Sequence, residues 1–232
     1  MAMSSQAVVN LPPLVNGDRL SRAEFEGRYQ AAPEIWKAEL VEGVVYVASP
    51  VRAKQHGRPH AAILAWLGAY WLATPGVDLQ DNATVRLDAE NEPQPDALLR
   101  LEPAVGGQSV IAADDYIEGA PELIVEVAAS SAAYDLNDKL RAYCRNRVRE
   151  YLVWQTYENE LVWFVWREGQ YDRLCPDPEG VIRSQCFPGL WLAVDALLQD
   201  ERSRLLAVVQ AGLQTAAHQV FVQKLRNGDR VI

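Results

Sequence analysis

Glu126 stands inside Leu123-Ile124-Val125-Glu126-Val127, a compact apolar run. Such a run reads as a central strand covered on both faces. A lone buried carboxylate costs on the order of several kcal/mol unless it is paired, protonated or bound to a cation. The compensation is an arginine partner, an exposed strand end or a metal. Asp96 is the second acid, following Pro95 and opening the run Ala97-Leu98-Leu99. Alone it reads as a turn aspartate. Two carboxylates on adjacent strands, however, make a hard, all-oxygen site suited to Mg²⁺. Lys139 lies four residues beyond Asp135 on the helix expected next. Its simplest role is a solvated pair with Asp135, worth about a few tenths of a kcal/mol. Folded back over the carboxylates, its ammonium could orient a water or steady charge growing on a phosphate. Glu39 precedes the turn in Lys37-Ala38-Glu39-Leu40-Val41-Glu42-Gly43, where imperfect alternation leaves its facing open. His56 and His60 have the i, i+4 spacing of a metal pair. Without a third ligand or an HExxH pattern they read as surface histidines.

These residues need elements to position them. Ser21-x-x-Glu24 is a capping box and predicts a short helix ending near Tyr29. Strand-like runs at residues 36–40 and 44–48 flank Glu42-Gly43, a hairpin turn. Apolar residues at helical spacing predict a helix from Gln55 to Ala73. Short strands follow at 77–80, 84–87 and 96–99, then a polar loop over 103–120, then the Glu126 strand. A helix is expected over 135–146, with Leu136, Leu140 and Tyr143 on one face. Three strands (151–154, 161–166 and 171–174) come next, and helices return after Asp195, with Gly212 separating two of them. The order predicts an α/β or α+β domain on one mixed sheet. Residues 1–18 read as a flexible leader and 199–232 as a C-terminal helical extension.

The chain of 232 residues carries a net charge of −9 and is 49% hydrophobic. Seven Trp and nine Tyr in spaced apolar runs exclude disorder as the dominant state. The acidic balance argues against a basic nucleic-acid coat protein. The charge is uneven, however. Residues 76–135 hold thirteen acidic and two basic side chains. Two short basic islands flank them: Arg52, Lys54 and Arg58, then Lys139, Arg141, Arg145, Arg147 and Arg149. Three scattered cysteines give no CxxC pair, so neither a disulfide framework nor a thiolate zinc site is expected. No secretory pattern and no transmembrane-length run occurs, so a cytoplasmic setting without a membrane partner is the expectation. No P-loop, GxGxxG or GxSxG motif supports a nucleotide cofactor or a serine hydrolase. The aromatics could stack on bases, but core packing or a subunit interface is the simpler reading.

Several motifs in order carry a resemblance. They are Glu39-Leu40-Val41-Glu42-Gly43 with Ser49-Pro50, then Pro95-Asp96, then Pro121-Glu122-Leu123-Ile124-Val125-Glu126-Val127. Asp135-Leu136-x-x-Lys139-Leu140-x-x-Tyr143, Val148-Arg149-Glu150-Tyr151 and Pro188-Gly189-Leu190 follow. The pattern resembles the Uma-two-type endonucleases of the restriction-endonuclease-like, PD-(D/E)XK superfamily, over about residues 20–198. The resemblance implies a restriction-endonuclease-like mixed central sheet flanked by helices, a nuclease-like domain over 19–198. It also implies phosphodiester hydrolysis with Mg²⁺ or Mn²⁺. Asp96, Glu126 and the Val127 carbonyl would hold the metal, with Glu39 beside it. The lysine expected two residues after the glutamate is Ala128, and Lys139 would replace it from the helix. DNA is the implied substrate, with Arg52, Lys54, Arg58, Arg141 and Arg145 as candidate phosphate contacts. A homodimer would match the two strands to be cut. Two other readings stay open: a non-catalytic interaction or DNA-binding module on the same fold, and a Mg²⁺-dependent phosphoesterase for small substrates.

Overall fold

The computed structural model describes residues 11–231. Helix α1 (Arg22–Gln30) starts where the Ser21 hydroxyl accepts the Glu24 N–H. Strands β1 (Ala38–Val41) and β2 (Val44–Val47) form the first hairpin. Glu42 and Gly43 turn it with φ of 52° and 70°, the left-handed pair that a two-residue hairpin needs. A π-helical turn, Ala53–Gly57, leads into α2 (Arg58–Ala73), so the regular helix begins later than its apolar periodicity predicts.

Next come β3 (Val77–Asp81), β4 (Val85–Arg86), β5 (Ala97–Leu101), β6 (Val110–Ile111), β7 (Ile117–Glu118) and β8 (Leu123–Ala128). The segment read as a polar loop therefore contains β6 and β7, which build a small three-stranded sheet with β4. After β8 the chain makes a short turn of helix, α3 (Ala132–Tyr134), then a second π-helical turn (Asp135–Lys139), then α4 (Leu140–Arg145). Strands β9 (Glu150–Gln155), β10 (Glu160–Arg167) and β11 (Gln170–Leu174) follow. The hairpin β12 (Val181–Arg183) and β13 (Trp191–Ala193) precedes α5 (Val194–Leu198), α6 (Arg202–Leu213) and α7 (Ala216–Asn227).

The main sheet has six strands in the order β11-β10-β9-β8-β5-β3. Within this sheet, among the described residues, β8 and β9 alone run parallel, so it is a mixed sheet in an α+β fold. The parallel pair needs a crossover, which α3, the π-helical turn and α4 supply. Strand alternation divides the core. Leu123, Val125 and Val127 of β8 pack with Ile63, Trp66 and Tyr70 of α2. Ile124 and Ala128 face the other way, toward Tyr143, Tyr151 and Leu140. Glu126 shares that second face by the same alternation.

The described segments at both sides of the domain are tied to it. The first ten residues of the expected leader lie outside the described residues. Beyond them, Leu14 is buried with Phe25 and Leu40, and the Gly17 N–H donates to the Val45 carbonyl. The C-terminal helices do not stand apart: Leu205, Val209, Phe221 and Leu225 belong to the largest apolar core. The two helices divide at Gln214–Thr215, and Gly212 lies within α6. A Cβ at Gly212 would sit 2.2 Å from the Gly189 carbonyl oxygen, so the backbones meet too closely for any side chain. Among the described residues, no single helix is long and apolar enough to cross a membrane.

Candidate active site

Strand β5 pairs with β8 so that Ala97 faces Val125. One step further along the same register, Asp96 lies across from Glu126. Both acids fall on the α4 face of the sheet, at the end of the paired region. They line a cleft of about 1200 Å³, walled by β1, the two π-helical turns and the β9–β10 turn.

Glu126 is 4% exposed. Its Oε1 accepts from Lys139 Nζ at 2.8 Å and from the Tyr143 hydroxyl at 3.0 Å. Its other oxygen accepts from no donor among the described residues. Lys139 Nζ also donates to Glu39 Oε1 at 3.0 Å and lies 3.6 Å from Asp135 Oδ1. Lys139 is therefore no solvated partner of Asp135; it is 3% exposed and bridges three carboxylates. Glu39 is likewise buried, with the Gln94 N–H donating to the same Oε1 at 2.7 Å. Asp96 accepts the Val127 N–H on Oδ2 at 2.7 Å and faces His56 Nε2 across 3.1 Å on Oδ1.

The electrostatics follow from this packing. Burial pushes the Glu126 carboxyl up to about 8, opposed by Lys139 and reinforced by Asp135, Asp96 and Glu39. Burial also raises Asp135. Burial alone would lift Asp96, but the hydrogen bond and charge of His56, then Lys37 and the Val127 N–H, bring it down to about 2. Burial disfavours the Lys139 ammonium, yet Glu126, Glu39 and Asp135 together hold its proton well above the ordinary range. Neighbouring carboxylates thus differ sharply in proton affinity, a pattern that clusters at functional sites.

The structure brings Asp96, Glu126, Lys139 and Glu39 together, with Val127 in the wall of the same cleft. It also recruits groups that spacing alone did not single out. His56 and His60 are not free surface histidines. His60 Nε2 lies 2.9 Å from the Asp96 carbonyl oxygen and 3.2 Å from Asp81 Oδ1. Their i, i+4 spacing just after Ser49-Pro50 was the available signal. Asp135 was expected beside Lys139 but in solvent, where both are buried, and Tyr143 was visible in the helix motif but not as a contact of Glu126. The candidate phosphate contacts divide. Arg52 lines the cleft and Lys54 is exposed nearby, whereas Arg58 lies at a separate pocket between α2 and α6. Arg141 pairs with Asp138, and Arg145 with Glu42 and Asp88, outside the cleft wall. Two motif acids are structural: Glu122 accepts the Leu101 and Gln108 N–H groups, and Glu150 anchors the loop at Ser184–Cys186.

Among the described residues, no three His, Cys, Asp or Glu side chains already form a cage for a metal. The Asp96 and Glu126 carboxylates line the cleft with Val127 beside them, and such an oxygen set would make a partial shell for a hard cation. That fits Mg²⁺, which keeps several waters and takes one or two carboxylates plus substrate phosphate.

No curated protein sequence matches the chain. Its fold is similar to the crystal structure of a protein from Anabaena variabilis described as a "putative nuclease belonging to DUF820". The TM-score is 0.54 at 12% identity, covering 75% of this chain and 96% of that one. At that identity the likeness is one of fold. A family model described as "Putative restriction endonuclease" matches residues 23–195, which spans both acids, Lys139 and the whole six-stranded sheet. The chain belongs to the Uma2 family.

Proposed function

We propose that this protein is a metal-dependent endonuclease that hydrolyses phosphodiester bonds in DNA. The observation that carries the reading is the placement of Asp96 and Glu126 across one strand pair, with Lys139 held on Glu126 at the floor of an open cleft. Asp96, Glu126 and the Val127 carbonyl would hold Mg²⁺ or Mn²⁺. The bound ion would supply Lewis-acid stabilisation of the phosphate and a more acidic water. Asp96 is kept ionised by His56 and the Val127 N–H, so it presents negative charge at neutral pH. Glu126 is oriented by Lys139 and Tyr143 through one oxygen, which leaves the other without a donor among the described residues. Lys139 is itself fixed by Glu39 and Asp135. Its ammonium stands where it can orient an attacking water or offset charge on a phosphate oxygen.

A plasmid-nicking assay with Mg²⁺ or Mn²⁺ tests this. Wild type is expected to nick, chelation to abolish nicking, and Asp96→Asn and Glu126→Gln each to lower the rate by about 100-fold or more, as loss of preorganised electrostatics commonly does. Equal cleavage by wild type and Asp96→Asn would overturn the proposal. DNA binding without cleavage in every metal would favour a non-catalytic module on the same fold.

A further inference from the structure

Trp36 is 95% exposed, and Tyr157 is 50% exposed. Both line the cleft that holds Asp96 and Glu126. They come from different walls. Trp36 leads into β1, and its carbonyl accepts the Tyr29 hydroxyl at 3.2 Å, which holds the backbone while the ring stays in water. Tyr157 sits in the β9–β10 turn, which Thr156 fastens to the first π-helical turn through the Gln55 carbonyl at 2.7 Å. Arg52 lines the same rim and is exposed.

Resting on the nuclease reading above, we infer that Trp36 and Tyr157 stack on unpaired nucleobases, so that the substrate is a single-stranded or locally unpaired nucleic acid. The floor of the cleft argues for this. Glu39, Glu126 and Asp135 share one buried lysine there and Asp96 lies beside His56, and without a metal such a floor does not attract a polyanion. Affinity must come from the rim. Stacking on an aromatic ring needs no opposite charge and tolerates any base. Arg52 adds one cation beside the rings, suited to a phosphate. An intact duplex keeps its base faces covered by their neighbours, so these rings would find nothing to stack on. An unpaired strand offers those faces and can bend its phosphate down to the two acids.

The test is binding of a labelled oligothymidine and of a duplex of equal length to the full-length protein, at fixed low salt. It is run in EDTA and again in Ca²⁺. Wild type is expected to prefer the single strand. Trp36→Ala and Tyr157→Ala should each weaken strand binding by about tenfold, the size of one lost stack. Trp36→Phe should retain most of the affinity. A Trp so exposed contributes little to the core, so the variants should keep the wild-type circular dichroism and unfolding midpoint. Strand binding by Trp36→Ala equal to wild type, a wild-type preference for duplex, or no binding to either would overturn the inference. Active nicking with Trp36-independent binding removes this inference and leaves the nuclease reading. Trp36-dependent strand binding without cleavage does the reverse.

Discussion

Lys139 touches Glu39, Glu126 and Asp135 together. Removing it leaves buried carboxylates without a counter-charge, a change that costs about 3–5 kcal/mol when a buried pair is broken. Lys139→Met is therefore expected to unfold at clearly lower urea in metal-free buffer. The loss should be larger at pH 8 than at pH 5.5, where the acids can protonate. An unchanged urea midpoint would show that water, not Lys139, screens these acids. An acid in an apolar run demands a partner, which singled out Glu126; Asp96, Lys139 and Glu39 were joined to it by the order of the family motifs. The sequence could not show that the partner of Lys139 lies 100 residues away on β1. Local spacing offered only Asp135, and so suggested a solvated pair. His56 stayed hidden for a related reason: its meaning depends on Asp96, 40 residues on, reaching the same wall.

Among elements, the parallel pair β8 and β9 with its crossover positions the buried Glu126–Lys139 cluster. β8 presents Glu126, and the crossover returns Lys139 and Tyr143 to it. The hairpin turn, the Ser21 cap and the central strand were legible, because each has a local cause in turn chemistry, capping or apolar length. The C-terminal helices were not. An amphipathic helix reads the same whether it covers a core or stands apart, and only the packed neighbours decide. Here α6 and α7 cover α2 and close the largest core. A protein ending at Gln199 would lose Leu205, Val209, Phe221 and Leu225 from that core. Each such loss costs about 2–5 kcal/mol, and together they exceed the usual net stability of a domain. The truncated protein is expected to lack a cooperative thermal transition and near-UV dichroism. A sharp transition near that of the full chain would mean the helices are dispensable.

Across the whole molecule, much of the acidic middle is folded inward. Glu92, Glu122, Glu126 and Asp135 are all buried, and Glu150 joins them. Burial raises the carboxyl of each, with Glu92 reaching about 8 beside Glu26. A folded-state carboxyl raised above its unfolded value binds more protons in the native state between the two values. The stability that these groups contribute is full below about pH 4.5 and is lost as pH rises toward 8. Metal-free protein is expected to melt at a higher temperature at pH 5.5 than at pH 8, and Glu92→Gln should make that slope shallower. A melting temperature that rises across this range would contradict the burial argument. The net charge of −9 thus describes the interior as well as the surface, and is a poor guide to what the outside can bind.

The two π-helical turns, Ala53–Gly57 and Asp135–Lys139, each spend about one residue more than an ordinary helical turn. They carry His56 on one side of the cleft and Asp135 with Lys139 on the other. A related chain with regular helices at these places would reach the same arrangement in space with one residue fewer between its motifs. Since each residue of helix rotates the side chains by about 100°, the interval from Glu126 to Lys139 follows the helix geometry and is not a fixed number. A search pattern of rigid spacing would pass over such relatives while their sites superpose.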